Sequence, residues 1–314
     1  MVGRMFARVL TERKIRARYI LFNRAGGADV EIGGKLYKTN ALNEHNVRAK
    51  GAYDYALFSA GADVSRQFAP LFAKLGAVVI DNSSAWRRDV NVPLVIPECN
   101  IASAIDHENN TRNGSQPHGR IIANPNCTTI GSLPALKPLD DEYGLKRVVY
   151  ASYQAISGAG ANPKFLYPID NNVIPYIAGE EEKMAHETNK ILRGVCDKHG
   201  FFAGGAGRIE VSATCIRVPV KNCHTVAIHA EFSMPVNIDR VREILSRASG
   251  VVLLPEGDLP MPIVANGHDE IFVGRVRIPD GFGGCAVDMV TASDNIRKGA
   301  ATNAVQILQK LLQQ

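Results

Sequence analysis

The first third of the chain alternates amphipathic helical stretches with short apolar runs of strand length. Residues 2–11 place their large apolar side chains on one helical side, and residues 64–75 form a second helical stretch. The apolar runs that we predict to be strands lie at 18–22, 53–59, 77–82 and 119–124. Strands that alternate with helices favour crossover connections, so this part of the chain predicts a parallel, doubly wound α/β sheet.

Long strand-like runs dominate the middle of the chain, and few helices separate them. These runs lie at 146–156, 208–219, 224–233, 251–254, 270–279 and 285–292. Helical patterns occupy 180–193 and 237–248, and a last amphipathic helix covers 296–312. Strands joined with few crossovers indicate an antiparallel or mixed sheet, hence a second part of the α+β class.

The length of the chain fits two domains of modest size. It has 314 residues, 46% of them hydrophobic and 21% charged, which is ordinary globular composition. We predict a first domain over 1–126, completed by the C-terminal helix at 295–314, and a second domain over 127–294.

Composition excludes several classes of protein. The sequence has neither the run of about 18 apolar residues that a membrane span needs nor the features of a secretory signal, so we expect a cytoplasmic protein. The net charge is +5, but basic residues are mixed with acidic ones, and nucleic-acid binding is not indicated. Six cysteines without a CxxC pair argue against a disulfide framework and against a zinc site.

One cysteine has surroundings that suggest chemistry. In GRIIANPNCTTIG a predicted strand ends at Pro125, and Cys127 falls where a helix begins. A thiol at a helix start faces unpaired main-chain amides, which favour the nucleophilic thiolate. The same amides and the Asn126 side chain could hold an oxyanion. The alternative is a buried cysteine at the end of an ordinary turn.

The start of the chain bears on cofactor binding. A dinucleotide-binding domain needs a strand, a glycine-rich turn and then a helix, and here the first helix carries only Gly3 as a remnant of that turn. Either the chain is truncated, or the strand, the turn and part of the loop after SGAG belong to the protein and are missing from this sequence; we expect the second. About 20 residues beyond Gly3, where an NAD-specific fold has an acid, stand Asn23 and Arg24, which favours NADP. An ordinary surface arginine is the alternative.

Several motifs resemble the aspartate-β-semialdehyde dehydrogenase family in order and spacing, over nearly the whole chain. They are SAGADVS, DNSSAWR, NPNCTT, YQAISGAG, EEKMAHETNKIL, SATCIRVPVKNCH, FVGRVR and SDNIRKGAATNAVQI. The resemblance implies a Rossmann-like NADP-binding domain followed by a catalytic and dimerisation domain. It also implies the reaction L-aspartate 4-semialdehyde + phosphate + NADP⁺ ⇌ L-aspartyl 4-phosphate + NADPH, in lysine, threonine and methionine biosynthesis.

The resemblance assigns the groups that carry out the chemistry. It implies Cys127 as the nucleophile that forms a thioacyl intermediate and His224 as the acid/base, a role that suits histidine near neutral pH. Arg217 corresponds to the arginine that binds the substrate carboxylate, and Gln154 to a glutamine beside the nucleophile. Cys223 stands directly before His224, where family members commonly have glycine.

Further residues are implied to bind the rest of the substrate and the phosphate. Glu180 and Lys183 correspond to a pair that handles the substrate amine and the phosphate, and Glu181 is the alternative to Glu180. Arg87 corresponds to a phosphate ligand, helped by Asn126 and Lys183. Arg88 is the alternative to Arg87.

The resemblance also implies contacts to the cofactor and a set of partners. The residues similar to the family's cofactor contacts are Ser59, Ala60, Gly61, Ser157, Gly158 and Asn295. Implied partners are the small substrate, inorganic phosphate and a second copy of the chain in a homodimer or homotetramer. Two rival functions are N-acetyl-γ-glutamyl-phosphate reductase and a non-catalytic homologue.

Overall fold

The chain is described by a computed structural model over residues 1–111, 120–160, 163, 165, 167–194 and 207–314. It divides into two compact units, unit 1 (Met1–Pro125 with Ala300–Gln314) and unit 2 (Asn126–Gly299). Unit 2 begins at 126 rather than the predicted 127, and it ends at 299 rather than 294. Cys196 lies outside the described residues. The same is true of residues 161, 162, 164 and 166, which belong to the stretch after SGAG.

Unit 1 has an α/β architecture built on parallel strands. Its elements up to Pro125 are α1 (Val2–Glu12), β1 (Phe22–Asn23), β2 (Asp29–Ile32), β3 (Lys35–Lys38), β4 (Asn40–Ala41), α2 (Glu44–Ala49), β5 (Tyr55–Phe58), α3 (Ala62–Lys74), β6 (Val78–Asp81), α4 (Pro97–Asn100), α5 (Ala102–Thr111) and β7 (Ile121–Ala123). Strands β5, β6 and β7 form a parallel sheet, β1 and β4 a separate parallel pair, and β2 and β3 an antiparallel hairpin. The predicted parallel sheet is therefore present as two separate pieces.

The core of unit 1 agrees with a predicted helix and a predicted strand, whereas another predicted strand has different bounds. All of β6 is buried, as expected of a parallel strand covered on both faces, and α1 buries Phe6, Val9 and Leu10 as its periodicity predicted. The predicted strand at 18–22 is wrong in its bounds, because only Phe22 and Asn23 pair. Their partner β4 is itself two residues long, so the ladder ends there.

Unit 2 is built around one mixed sheet with the strand order β11-β12-β13-β10-β8-β9. Its elements are α6 (Cys127–Ile130), α7 (Leu133–Tyr143), β8 (Leu145–Gln154), α8 (Glu180–Arg193), β9 (Glu210–Arg217), β10 (His224–Phe232), α9 (Ile238–Arg247), β11 (Val251–Leu253), α10 (Pro262–Ala265), β12 (Ile271–Arg277) and β13 (Ala286–Ser293). Strand pairs β8–β9 and β11–β12 are parallel, and the other neighbours are antiparallel. The predicted α+β class is confirmed.

The two faces of this sheet differ in how far helices cover them. Tyr150 of β8 is buried and its hydroxyl lies 3.3 Å from Thr188 of α8, so helices cover that face. On the opposite face Ala151, Ala227 and Val290 lie side by side in register and are half-buried. This opposite face, the open sheet face, therefore has a row of small and apolar side chains, while Arg147, His229 and Glu231 lie further along the same strands.

The C-terminal helical segment is less regular than its amphipathic pattern indicated. A π-helix occupies Arg297–Thr302, and α11 (Asn303–Leu311) follows it. Apolar side chains of α11 are buried in the core of unit 1. Among the helices of the described ranges, none is long and apolar enough to cross a membrane.

Candidate active site

Three of the predicted catalytic and substrate-binding side chains lie at strand ends, at one edge of the unit 2 sheet. Gln154 ends β8, and its register partner Arg217 ends the parallel strand β9. His224 begins β10, which runs antiparallel to β8, so its first residue meets the end of β8. All three side chains are buried. Strand topology alone therefore brings together residues that lie far apart in the sequence.

Cys127 reaches this edge from the start of α6. Its Sγ lies 3.2 Å from Nε2 of His224. Asn126 caps the helix, because its side-chain oxygen accepts a bond of 2.9 Å from the N–H of Thr128. However, α6 is a single turn that ends at Ile130. The favourable field at the thiol therefore comes from nearby amides rather than from a long helix dipole.

His224 is held as a neutral ring with a defined orientation. Its Nδ1 accepts a hydrogen bond of 3.0 Å from the N–H of Ala155. A neutral imidazole that accepts at Nδ1 carries its proton on Nε2, the atom that faces Cys127. Burial lowers the pKa of His224 to about 3, and the charge of Arg217 acts in the same direction. His224 is therefore a hydrogen-bond donor toward the sulfur at neutral pH.

Arg217 places a buried positive charge in the same site. It is 5% exposed, and its Nη1 donates a bond of 2.6 Å to the carbonyl of Ala155. Burial lowers the pKa of Arg217, whereas the negative charges of Cys127 and Glu180 oppose this shift. Among the described residues only this one of its five N–H groups has a hydrogen-bond acceptor. The geometry suits an arginine that binds a ligand carboxylate.

Gly158 leaves the space that Arg217 and His224 need. A Cβ at this position would lie 2.8 Å from Nη1 of Arg217 and 3.0 Å from Cε1 of His224. Gln154, also at this edge, donates a bond of 3.2 Å from its amide to the Ser152 hydroxyl. The glycine of SGAG is therefore required by close packing against the catalytic groups.

The other predicted substrate residues, Glu180 and Lys183, are linked to Asn126 by hydrogen bonds. The Asn126 amide donates a bond of 2.8 Å to Glu180, and Lys183 donates one of 2.6 Å to the other oxygen of Glu180. Glu181, the alternative to Glu180, instead accepts a bond from the N–H of Cys215. Glu180 rather than Glu181 therefore lies beside the nucleophile's turn.

Two predicted cofactor residues of unit 2 bond each other next to the histidine. The Asn295 amide donates a bond of 3.0 Å to the Ser157 hydroxyl, and its oxygen accepts one of 2.8 Å from the N–H of Cys223. Cys223 has a φ of 73°, in the left-handed region that favours glycine. Cys223 therefore occupies a backbone conformation that glycine would adopt without strain.

Unit 1 contains a cleft that brings together most of its predicted cofactor residues. Its volume is about 2110 Å³, and its lining includes Gly3, Asn23, Arg24, Ser59 and Ala60. These residues lie at the start of α1 and at the carboxyl ends of β1 and β5, where doubly wound sheets bind ligands. Gly61 is the N-cap of α3, with a φ of 89°.

Arg24 follows a turn that Asn23 organises. The side-chain oxygen of Asn23 accepts a bond from the N–H of Gly26, and its amide donates one of 3.0 Å to Thr39. Asn23 is thus engaged within the turn, whereas Arg24 is exposed at the cleft.

The predicted phosphate ligand of unit 1 is tied to the main chain. Arg87 donates a bond of 2.9 Å from Nε to the carbonyl of Asn124 and one of 3.1 Å from Nη2 to the carbonyl of Asn82. Those carbonyls follow β7 and β6, so Arg87 lies at the carboxyl edge of that sheet. Arg88 is exposed.

Three positions that shape the site were not predicted from the sequence. The main chain of Ala155 bonds both His224 and Arg217, and a main-chain contact has no side-chain signature. Glu187 accepts a bond of 2.7 Å from the N–H of Asn126. Gly299 packs against Cys127, since a Cβ there would lie 2.9 Å from the Cβ of Cys127. The spacing of Glu187 from Glu180, two helical turns, was the one available signal.

Known proteins resemble this chain over its full length. Residues 1–107 match the semialdehyde dehydrogenase NAD binding domain, and residues 136–298 match the semialdehyde dehydrogenase dimerisation domain. The aspartate-semialdehyde dehydrogenase of Aquifex aeolicus is 41% identical, with 100% of this chain and 95% of the relative covered.

Solved structures also resemble this chain over its full length. Aspartate semialdehyde dehydrogenase II of Vibrio cholerae, complexed with ASA, superposes with a TM-score of 0.85 at 33% identity, covering 99% of this chain and 95% of that one. The Candida albicans enzyme with NADP superposes with a TM-score of 0.80 at 26% identity, with the same coverage of both chains.

The buried neutral state of His224 predicts a loss of stability in acid. Its pKa is about 3 when folded and about 6.5 when unfolded, so between these values only the unfolded chain binds the proton. Lowering the pH from 7.5 to 5.0 should therefore cost about 2 kcal/mol of unfolding free energy through this residue. In His224→Gln this part should vanish. Urea unfolding at both pH values measures it, and equal pH dependence in the two proteins would contradict it.

Proposed function

The chain belongs to the aspartate-semialdehyde dehydrogenases, oxidoreductases of amino-acid biosynthesis, and we propose that its reaction proceeds through a thioester on Cys127. The observation that carries this proposal is the 3.2 Å contact between Cys127 Sγ and His224 Nε2, with a buried arginine beside it. The substrates are L-aspartyl 4-phosphate in one direction and L-aspartate 4-semialdehyde with phosphate in the other. The products feed lysine, threonine and methionine synthesis.

In this mechanism Cys127 forms the covalent bond to the substrate, and His224 stabilises the charge that develops on its oxygen. In the reductive direction the sulfur bonds the 4-carbonyl carbon, and the carbon–oxygen bond to phosphate breaks to release inorganic phosphate. NADPH, when bound, supplies the hydride that reduces the thioester. The negative charge on the resulting oxygen is stabilised by the Nε2–H of His224. The carbon–sulfur bond then breaks, the aldehyde forms, and the electron pair returns to Cys127.

Other residues of unit 2 orient the substrate. Arg217 binds the α-carboxylate through its remaining N–H groups, and Gln154 lies beside it at the neighbouring strand end. Glu180 receives the substrate amine, and Lys183 receives the phosphate. One hydrogen of the Asn126 amide is used on Glu180 and the other is available to the phosphate. In unit 1, Arg87 contributes positive charge to phosphate binding.

NADP is the cofactor that the cleft of unit 1 suits best. The chain has an NAD(P)-binding domain. At the carboxyl end of β1 a cation, Arg24, stands where an acid would bind the ribose hydroxyls of NAD. Ser59, Ala60 and Gly3 provide main-chain contacts in the same cleft, and Ser157, Gly158 and Asn295 lie beside His224 for the nicotinamide.

The open sheet face of unit 2 supports a homodimer. This unit is a dimerisation domain. Ala151, Ala227 and Val290 form a flat row without long side chains, and sheets pack face to face through such surfaces. A second copy of the chain, placed on the same surface, would cover this row in both copies.

Replacing the nucleophile should abolish turnover without unfolding the protein. We expect Cys127→Ala to lower phosphate-dependent NADPH formation from L-aspartate 4-semialdehyde by roughly 10⁴-fold or more. Cys285→Ala, a half-buried thiol in the same unit, is the control and should retain activity. Retained activity in Cys127→Ala would refute the thioester mechanism. Turnover by the wild type of only the N-acetyl-γ-glutamyl substrate would identify the rival reductase.

Removing the cation at the end of β1 should weaken NADP specifically. Arg24→Ala should raise KM for NADP about tenfold, because a charge-assisted bond to phosphate is worth about 1.5–3 kcal/mol. KM for NAD should stay unchanged. Arg16→Ala removes an exposed arginine from the same cleft and serves as the control. Equal changes for the two cofactors would show that Arg24 does not contact the 2′-phosphate.

A charge on the open sheet face should prevent self-association. We expect the wild type to sediment as a dimer and Ala227→Arg to sediment as a monomer, because a dimer would bury the new charge twice. Ser246→Arg, on the exposed side of α9, should leave the dimer intact. A monomeric wild type at working concentration would contradict the proposal.

A further inference from the structure

Asn126, the residue before the nucleophile, has a partner for each of its polar groups. Its N–H donates a bond of 2.7 Å to Glu187, and its side-chain amide donates one of 2.8 Å to Glu180. Its side-chain oxygen accepts from the N–H of Thr128, and its carbonyl accepts from the N–H of Ile130. The main chain of Asn126 is therefore held on both sides, through its N–H in the peptide with Pro125 and through its carbonyl in the peptide with Cys127.

The two carboxylates that hold Asn126 come from one face of α8. Glu180 and Glu187 are two helical turns apart, so both side chains point the same way. Glu187 is 1% exposed, and a carboxylate that is buried so completely needs strong hydrogen bonds to offset its lost hydration. The bond to the Asn126 N–H is short and charge-assisted, and it contributes to this offset.

The backbone of Gly299 also packs against Cys127. A Cβ at position 299 would lie 2.9 Å from the Cβ of Cys127. Cys127 therefore has Gly299 as a close neighbour in addition to the turn that α8 holds. Because Asn126 and Cys127 are adjacent in the chain, a shift of the Asn126 main chain moves the sulfur relative to Nε2 of His224.

We propose that Glu187 is a positioning residue for the nucleophile, which fixes the sulfur of Cys127 at reacting distance by holding the main-chain N–H of Asn126. This rests on the proposed role of Cys127. Glu187 acts through the peptide and does not touch the substrate. Its contribution therefore depends on where its oxygen lies, and the negative charge itself is secondary.

Two substitutions at Glu187 distinguish the effect of where its oxygen lies from the effect of its negative charge. Glu187→Gln keeps an acceptor oxygen at the same place without the charge, whereas Glu187→Asp keeps the charge but withdraws it by about 1.5 Å. Misplacement by about 1 Å can cost a reaction up to about 10²-fold. We expect Glu187→Asp to lower kcat at least about tenfold with KM for L-aspartate 4-semialdehyde within about twofold. Glu187→Gln should keep kcat within about threefold.

Asn189→Ala is the matched control for lost stability. Asn189 lies on the same helix, is buried, and accepts a bond of 2.9 Å from the N–H of Ile209 rather than from Asn126. This variant should unfold at lower urea concentration and keep the wild-type kcat. The proposal is overturned by normal kcat in Glu187→Asp, by an equal loss of kcat in Glu187→Gln, or by the same loss in Asn189→Ala.

A measurement without substrate keeps this test separate from the proposed reaction. Iodoacetamide alkylates Cys127, and mass spectrometry follows this site alone. We expect alkylation at pH 7.5 to be several-fold slower in Glu187→Asp than in the wild type or Glu187→Gln, because the Nε2–H that stabilises the thiolate is no longer aligned. If the wild type fails to turn over the semialdehyde while this order holds, the proposed reaction is wrong and the positioning role stands. Equal alkylation rates would refute the positioning role itself.

Discussion

The main chain of Ala155 orients the two groups on which the site depends. Its N–H bonds Nδ1 of His224 and its carbonyl accepts from Arg217, so a single residue sets the proton on Nε2 and the direction of the guanidinium. Ala155 directly follows Gln154, whose register with Arg217 is set by the β8–β9 ladder. The chemistry at the sheet edge therefore depends on strand register, and a slip of β9 would separate the cation from the histidine.

Charges of both signs surround Cys127. Arg217 interacts with Cys127 and with Glu180, and its charge helps to keep the imidazole of His224 neutral. Glu180 and Glu187 each accept a hydrogen bond from Asn126, and Lys183 bonds Glu180. The carboxylates are thus engaged with the turn that carries the nucleophile, while the sulfur itself faces the Nε2–H of His224.

Side-chain patterns predicted the sheet classes and most elements, but not the backbone details. Helix α8 has the predicted bounds 180–193, because Gly179 and Gly194 flank an amphipathic stretch. The pattern could not distinguish the π-helix at Arg297–Thr302 from an α-helix, since both present apolar side chains at similar intervals. The helix predicted from Cys127 is a single turn, α6, before α7 begins.

Motif resemblance proposed the reacting side chains, and the structure describes how they are held. The chemical identities of cysteine, histidine and arginine are visible in a sequence. Their supports are a main-chain amide, a glycine contact and a carboxylate that bonds a peptide, which leave little compositional trace. The close approach of Gly299 to Cys127 also limits how this chain can evolve. Any side chain at position 299 would press on the Cβ of the nucleophile, so a lineage that keeps Cys127 should keep glycine there.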